Sequence, residues 1–242
     1  MYSFFKRFFD LIVSLTLFLV ILPFMIPIVL ILLLTGEHYV FYRQKRIGFK
    51  NRYFYILKFA TMLKNSPNMG TGLITVRNDP RLLPIGGFLR MTKINELPQI
   101  INVIKGDMSL VGPRPLVDKT FNAYPEAVRS RVYDSVPGIT GIGSIIFRDE
   151  EQLLTNTKMD RVEYYERVIA PYKGELEMWY NRHKSLRVDF WIIFLTAWSI
   201  INPSTKLPHK VFKNLPQRTF ADIAQTRPVL NAADPKKRSV HS

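Results

Sequence analysis

Residues 11–34 read LIVSLTLFLVILPFMIPIVLILLL, a run without one charged side chain. About twenty apolar residues carry a helix across the hydrocarbon of a bilayer, so this run sets the class of protein before any motif is considered. It is too long for the apolar part of a cleaved secretory signal, and Thr35-Gly36-Glu37-His38 behind it is not a small-residue cleavage site. Pro23 and Pro27 lie inside the run. Each lacks a backbone donor and crowds the preceding turn, so a kink or break is expected near Leu22-Pro23. Basic residues flank both ends, Lys6 and Arg7 before and Arg43, Lys45 and Arg46 after, so flanking charge sets no orientation. A re-entrant hairpin with both ends on one side and a kinked single span both satisfy these residues.

Lys and Arg total 34 against 19 Asp and Glu, a formal balance of +15. That surplus favours anionic partners: nucleic acid, lipid headgroups or phosphorylated substrates. With no zinc-finger spacing and no aromatic RNA-binding motif, the apolar run turns the choice away from nucleic acid and towards the membrane. The chain has no cysteine, which excludes disulfides, zinc thiolates and thiol nucleophiles.

A second apolar stretch, residues 188–201, reads VDFWIIFLTAWSII. It is too short to span. Its aromatic residues, with Arg182, Lys184 and Arg187 upstream, suit a helix in the headgroup region as well as a buried core helix. Residues 39–62 carry aromatic and β-branched runs around a turn at 48–52 and suggest a hairpin. Residues 64–81 are loop-like, 96–105 helical, and 149–183 a mostly charged helix. Residues 1–36 form the membrane element and 37–202 the body. Residues 203–242 form a polar tail, expected to be disordered from Lys213 onward.

The chemistry concentrates after residue 94. Leu97, Ile100, Ile101 and Ile104 share one helical face, and Pro98 is tolerated only in a first turn, so a helix should begin near Asn95 or Glu96. A helix start offers free N–H groups to a phosphate. Equally, Asn95 reads as an N-cap and Glu96 as a charge complementing the helix dipole. Arg114, between Pro113 and Pro115, is a guanidinium on a stiff segment, suited to bidentate phosphate recognition. Arg46, Lys58, Arg77, Arg81 and Arg90 are further cationic candidates. Asp79, Asp107, Asp149, Glu150 and Glu151 are carboxylates of the type that holds Mg²⁺.

The ordered set of motifs over residues 3–202 resembles the monotopic bacterial sugar transferases, the polyprenyl-phosphate hexose-1-phosphate transferases. It comprises Lys6-Arg7-Phe8-Phe9-Asp10 before a Pro-containing apolar segment, then Gln44-Lys45-Arg46-Ile47-Gly48. Lys58-Phe59-Ala60-Thr61-Met62 and residues 79–86, DPRLLPIG, come next. Leu89-Arg90, Glu96-Leu97-Pro98-Gln99, Asn102-Val103, residues 105–115, KGDMSLVGPRP, and Pro137-Gly138-Ile139-Thr140-Gly141 complete it. The resemblance implies a mainly α fold with a short β-hairpin, a Pro-broken re-entrant helix at residues 1–36, and interfacial helices on a cytoplasmic domain at 37–202. Lys6, Arg7, Asp10 and Pro23 would then belong to the membrane element.

The same resemblance implies transfer of a sugar-1-phosphate from a UDP-sugar to undecaprenyl phosphate, with release of UMP and with Mg²⁺ as cofactor. This would be the first membrane step of surface polysaccharide, lipopolysaccharide or exopolysaccharide synthesis, at the bacterial inner membrane. Membrane lipids and downstream glycosyltransferases are its implied partners. Glu96 and position 95 are implied as catalytic, Arg114, Arg90, Lys58, Arg46 and Arg81 as phosphate-binding, and Glu96 and Asp149 as metal ligands. In such enzymes an Asp-Glu pair starts the helix and the Asp attacks the β-phosphate. Here that position is Asn95, an amide and a poor nucleophile. Direct attack by the lipid phosphate, a displaced nucleophile (Glu96 or Asp149) and a catalytically impaired membrane scaffold are the three readings of that departure.

Overall fold

The computed structural model describes residues 1–69, 79–202 and 207–217. The long apolar run lies in one helix, α1 (Tyr2–Leu34), which passes through both prolines uninterrupted. The break expected at Pro23 is therefore absent. Each proline removes one backbone hydrogen bond, but the flanking apolar residues retain theirs, and in an apolar setting those groups have no other partner. With 33 residues at about 1.5 Å each, α1 extends roughly 50 Å.

The expected hairpin follows as antiparallel β1 (Phe41–Ile47) and β2 (Tyr53–Phe59). After it come α2 (Gly86–Met91), a 3-10 turn at Ile94–Glu96, and α3 (Gln99–Lys105). Strand β3 (Ser109–Val111) leads through α4 (Asp118–Asn122) and α5 (Glu126–Arg129) to β4 (Gly138–Thr140), with which it pairs in parallel. Next are α6 (Ile142–Ile146), α7 (Glu150–Asn156) and α8 (Arg161–Tyr164). The chain ends on α9 (Ala170–His183), α10 (Leu186–Ile201) and α11 (Leu207–Val211). The fold is thus mostly helical with a small antiparallel sheet. The charged helix expected over 149–183 is divided, because Asp160 accepts from Val162 N and Glu163 N and so starts a new helix. That helix reaches α9 through a π-turn at Tyr165–Ile169.

Helix α1 lies against the body at both ends. Near its start, Lys6 Nζ is 2.8 Å from Asp10 Oδ1 and 3.4 Å from Asp189 Oδ2 of α10. Tyr2 and Tyr180 hydroxyls donate to Asp189 at 2.9 and 2.8 Å, and Ser109 Oγ donates to Asp10 at 2.7 Å. Arg7 donates to the carbonyls of Val103 and Ile104 at the end of α3, a favourable place for a cation. Near its other end, Met25 and Leu32 are buried with Phe59, Ala60, Leu83 and Leu89. Lys6 and Asp10, expected among membrane-element residues, are buried in the body, where each answers the other's charge. The opposite side of α1 exposes Phe4, Phe8, Ile12, Leu19, Phe24 and Leu30.

Helix α10 has the buried face of a core helix and a second face that exposes aromatic and apolar side chains. Asp189, Ile192, Leu195 and Ser199 are buried, while Phe190, Phe194, Trp198 and Ile201 are exposed. The main core gathers α3, β3, α6, α9 and α10. Phe212 and Leu215 join it, and Tyr172 donates to the Pro216 carbonyl at 2.9 Å. Residues 207–217 therefore do not behave as the disordered tail expected from their composition: α11 packs on α10, and Phe212 lies against Trp179 of α9. Residues 218–242 lie outside the described residues.

Replacing Lys6 leaves two buried carboxylates without their cation. Lys6→Met should cost about 3–5 kcal/mol of stability, read as a lower unfolding temperature of the detergent-solubilised chain. Burial already raises the Asp189 carboxyl and Lys6 opposes that rise, so without the lysine it binds its proton more tightly folded than unfolded. Lowering the pH should therefore restore part of the loss, until the unfolded carboxyl protonates as well, near about pH 4. Undiminished stability at neutral pH would refute the role of this network.

Candidate active site

Side chains alternate along a strand, so Tyr42, Gln44 and Arg46 share one face of β1, and Lys58 of β2 stands opposite Tyr42. Against that face packs the turn carrying Glu96. It begins at Lys93, which takes a left-handed conformation (φ 61°) and redirects the chain out of α2. Asn102 of α3 fixes the distance: its Nδ2 donates to Tyr55 O at 2.8 Å and its Oδ1 accepts from Leu57 N at 3.0 Å.

Arg114 arrives from the other side. The turn after β3 is held by backbone contact: Gly112 N donates to Thr140 O and Gly138 N to Pro113 O, both at 2.9 Å. A Cβ on Gly112 would collide with the Val136 carbonyl, and one on Gly138 with Gly112 N, so only glycine permits the approach. The Tyr133 hydroxyl donates to Arg114 O and accepts from Leu116 N, each at 2.9 Å.

These segments meet at Glu96. Its Oε1 lies 3.2 Å from Lys58 Nζ and 3.2 Å from Arg114 Nη2. Burial alone would raise the Glu96 carboxyl, but Arg114 and Lys58 outweigh it and hold the group well below the usual carboxylate range. Burial lowers Lys58 to about 8 against the pull of Glu96. Burial, then repulsion from Arg114, lowers Arg46 to about 10. Arg46 is steadied by Gln44 Oε1, which accepts from Nε at 3.2 Å and Nη2 at 2.6 Å, and by the Pro115 carbonyl at 3.2 Å.

A cavity of about 270 Å³ opens between these elements. Arg46, Lys58, Arg90, Lys93 and Arg114 line it together with one carboxylate, Glu96. Five cations against one anion make it a site for a polyanion. Asn95 also lines it, is 8% exposed, and has an Oδ1 without a hydrogen-bond partner. Of the two readings of Asn95, the N-cap does not hold: Pro98 precedes α3, and no side chain caps either that helix or the Ile94–Glu96 turn. Tyr39, Tyr42 and Met62 line the cavity as well, with the Tyr39 hydroxyl donating to Met62 O.

Two expected site residues stand elsewhere. Arg81 is buried and spent on structure: it donates to both Asp79 oxygens, at 2.8 and 2.6 Å, and to the carbonyls of Ser66 and Met69. Asp149 is exposed before α7 and does not line the cavity. Among the described residues no group of three or more His, Asp or Glu forms a metal cluster. Arg77 lies outside the described residues. Sequence reasoning did not single out Lys93, Tyr42, Tyr133 or the role of Asn102; the lysine after a helix was the readable signal among them.

Residues 1–203 match the family model described as bacterial sugar transferase. The chain is 38% identical over 199 residues to an undecaprenyl-phosphate glucose phosphotransferase of Komagataeibacter xylinus, covering 79% of this chain and 35% of that protein. It is 31% identical to an undecaprenyl-phosphate galactose phosphotransferase of Salmonella typhimurium, covering 80% of this chain and 40% of the relative. An exopolysaccharide production protein of Sinorhizobium fredii is 30% identical, with 64% of this chain and 74% of the relative covered. The chain thus spans between a third and two fifths of the length of the two phosphotransferases.

Because Lys58 is lowered to about 8, affinity of the cavity for inorganic pyrophosphate should fall as pH rises through that value. Lys58→Arg carries a charge that persists there. Its binding should hold up relative to the native chain on the alkaline side. An identical pH dependence in both proteins would refute the role given to Lys58.

Proposed function

The chain belongs to the bacterial sugar transferase family, and from that premise we propose that it transfers a sugar-1-phosphate from a UDP-sugar to undecaprenyl phosphate with release of UMP. The observation that carries the reading is the convergence of Arg46, Lys58, Arg90, Lys93 and Arg114 on one cavity, with Glu96 bridging two of them. A diphosphate is an anion with the charge and reach for such a cluster.

The membrane placement follows from α1. A helix that crosses a bilayer leaves its two ends on opposite sides, where one body cannot pack on both. Here both ends pack on one body, through Lys6, Arg7 and Asp10 at the start and Met25 and Leu32 near the finish. That supports a re-entrant, monotopic placement at the cytoplasmic leaflet of the inner membrane, with the exposed sides of α1 and α10 in lipid. A lipid-borne phosphate then reaches the cavity from the membrane surface.

Glu96 is a poor candidate nucleophile, since two cations hold its carboxylate and keep it weakly basic. The Asn95 carboxamide is poorer still. The reading these residues favour is direct displacement. An oxygen of the lipid phosphate forms the new bond to the donor's β-phosphorus, while the bond from that phosphorus to the α–β bridging oxygen breaks. UMP leaves with that oxygen, and the sugar ends on a lipid diphosphate. Arg114, Lys58 and Arg46 neutralise the charge shared between entering and leaving oxygens. Asn95 Oδ1 and the Glu96 carboxylate are the oxygens that would hold Mg²⁺, an ion that takes few protein ligands beside phosphate and water. When bound it would supply further neutralisation of the diphosphate. The product starts a surface polysaccharide or glycoconjugate.

Membranes containing the chain, given labelled UDP-glucose or UDP-galactose and undecaprenyl phosphate, should yield labelled lipid and UMP. Glu96→Gln and Arg114→Ala should each lower the rate by about 10²–10³. Absence of lipid label with every common UDP-hexose would defeat the proposal. Asn95→Asp should not raise the rate; a gain of about a hundredfold or more, the scale of a restored catalytic group, would identify the native chain as an impaired scaffold.

A further inference from the structure

Glu177 of α9 is 1% exposed, lies outside the cavity lining, and has no hydrogen-bond partner at either carboxyl oxygen. Buried carboxyls almost always have such partners, so this one calls for a reason. Room has been left for it: a Cβ on Gly143 would collide with Oε1, and one on Gly141 would come within 3.9 Å of Oε2. Lys173, one turn earlier on α9, pairs with Glu150 of α7 instead. The segment between β3 and β4 brings Tyr124 and Tyr133 within reach of its charge. The turn after β3 runs beside it, since a Cβ on Gly141 would meet both the Gly112 carbonyl and Glu177 Oε2, and Arg114, two residues further on, feels its charge. Helix α6 places Gly143 against it.

Arg114 therefore feels more than one carboxylate. Glu96 attracts it within the cavity, and Glu150 and Glu177 attract it from outside. Of these, Glu177 alone is sealed from water without a bonded partner. Burial pushes it up to about 7, opposed by Lys173 and Arg114, so its charge changes within the physiological range.

We propose that Glu177 is a positioning residue that competes with the bound anion for Arg114, drawing the guanidinium's charge back when ionised and yielding it to the anion when neutral. The proposal rests on reading the cavity as a diphosphate site, not on which sugar is moved. By reciprocity, anion binding must raise the proton affinity of Glu177 as much as protonation raises the affinity for the anion.

The full chain in lipid nanodiscs, titrated with inorganic pyrophosphate between about pH 6 and about pH 8, gives the test. The ligand's own ionisation is common to all variants, so ratios read the protein. Glu177→Gln should bind about five- to tenfold more tightly than the native chain at the upper pH and equally at the lower. A gain of this kind does not come from a damaged fold. Glu177→Asp should keep the native pH dependence. Equal or weaker binding by Glu177→Gln at the upper pH overturns the proposal.

Should Glu177→Gln fail to fold, infrared titration of the native chain decides. Pyrophosphate must raise the midpoint at which the protonated buried carboxyl band disappears, and an unmoved midpoint overturns the inference. A native chain that binds pyrophosphate but labels no lipid would defeat the proposed reaction and leave this inference standing.

Discussion

One carboxylate makes the rest of the site possible. Arg46, Lys58 and Arg114 are brought together on the walls of one cavity, and like charges at contact distance cost several kcal/mol in a partly buried setting, about 4 at 4 Å. Glu96 offsets that cost by touching two of the three at once. What repulsion and burial remain is visible in Arg46 and Lys58, whose protons are held less tightly than in water. A cluster balanced by a single internal anion is left short of negative charge. In the proposed reaction a diphosphate would supply it, so the cavity is organised by the same electrostatics that such a ligand would complete.

Bringing such charges together requires a backbone that does not give. Lys58, Glu96 and Arg114 lie on separate segments, and each contact between segments is made by groups with little freedom. Asn102 pins α3 to β2 through two backbone groups. Gly112 and Gly138 allow main chain to touch main chain, so that the Arg114 turn is set by β4 rather than by its own side chains. Tyr133 then closes on both sides of that turn. Arg114, flanked by two prolines, has few ways to leave.

These dependencies explain what the sequence disclosed. The hairpin and the apolar helix were legible because periodicity and composition are local. Arg46, Lys58, Arg90, Asn95, Glu96 and Arg114 were legible as members of an ordered motif set, and the fold does gather them round one cavity. The break at Pro23 was overestimated, because local proline chemistry says nothing of neighbours that keep the remaining helix bonds. Arg81 was misjudged for a related reason: a guanidinium near glycines and prolines looks available until its partner is seen, and Asp79, two residues away, takes it. The parallel β3–β4 pair could not be found locally. Two three-residue strands have no periodicity of their own; they exist because two glycine-bearing motifs, read as separate, are halves of one contact.

The same contact logic links the lipid-facing part of the molecule to its chemistry. Helix α3 has seven residues, about 10 Å of rise. Arg7 of α1 satisfies carbonyls at its end, while Glu96 precedes its start. On its flank, Asn102 fastens it to the strand that carries Lys58. A shift of α1 along its axis must either break the Arg7 bonds or move α3, and moving α3 changes the Glu96–Lys58 distance. Since Lys6 and Asp10 also lock α1 to β3 and α10, the helix is a structural wall of the site as well as an anchor. A body in which the apolar helix and the cationic cavity share one short, tightly held element keeps its cavity at a constant position relative to that helix, the condition that the proposed reaction between a soluble diphosphate and a lipid-borne phosphate demands.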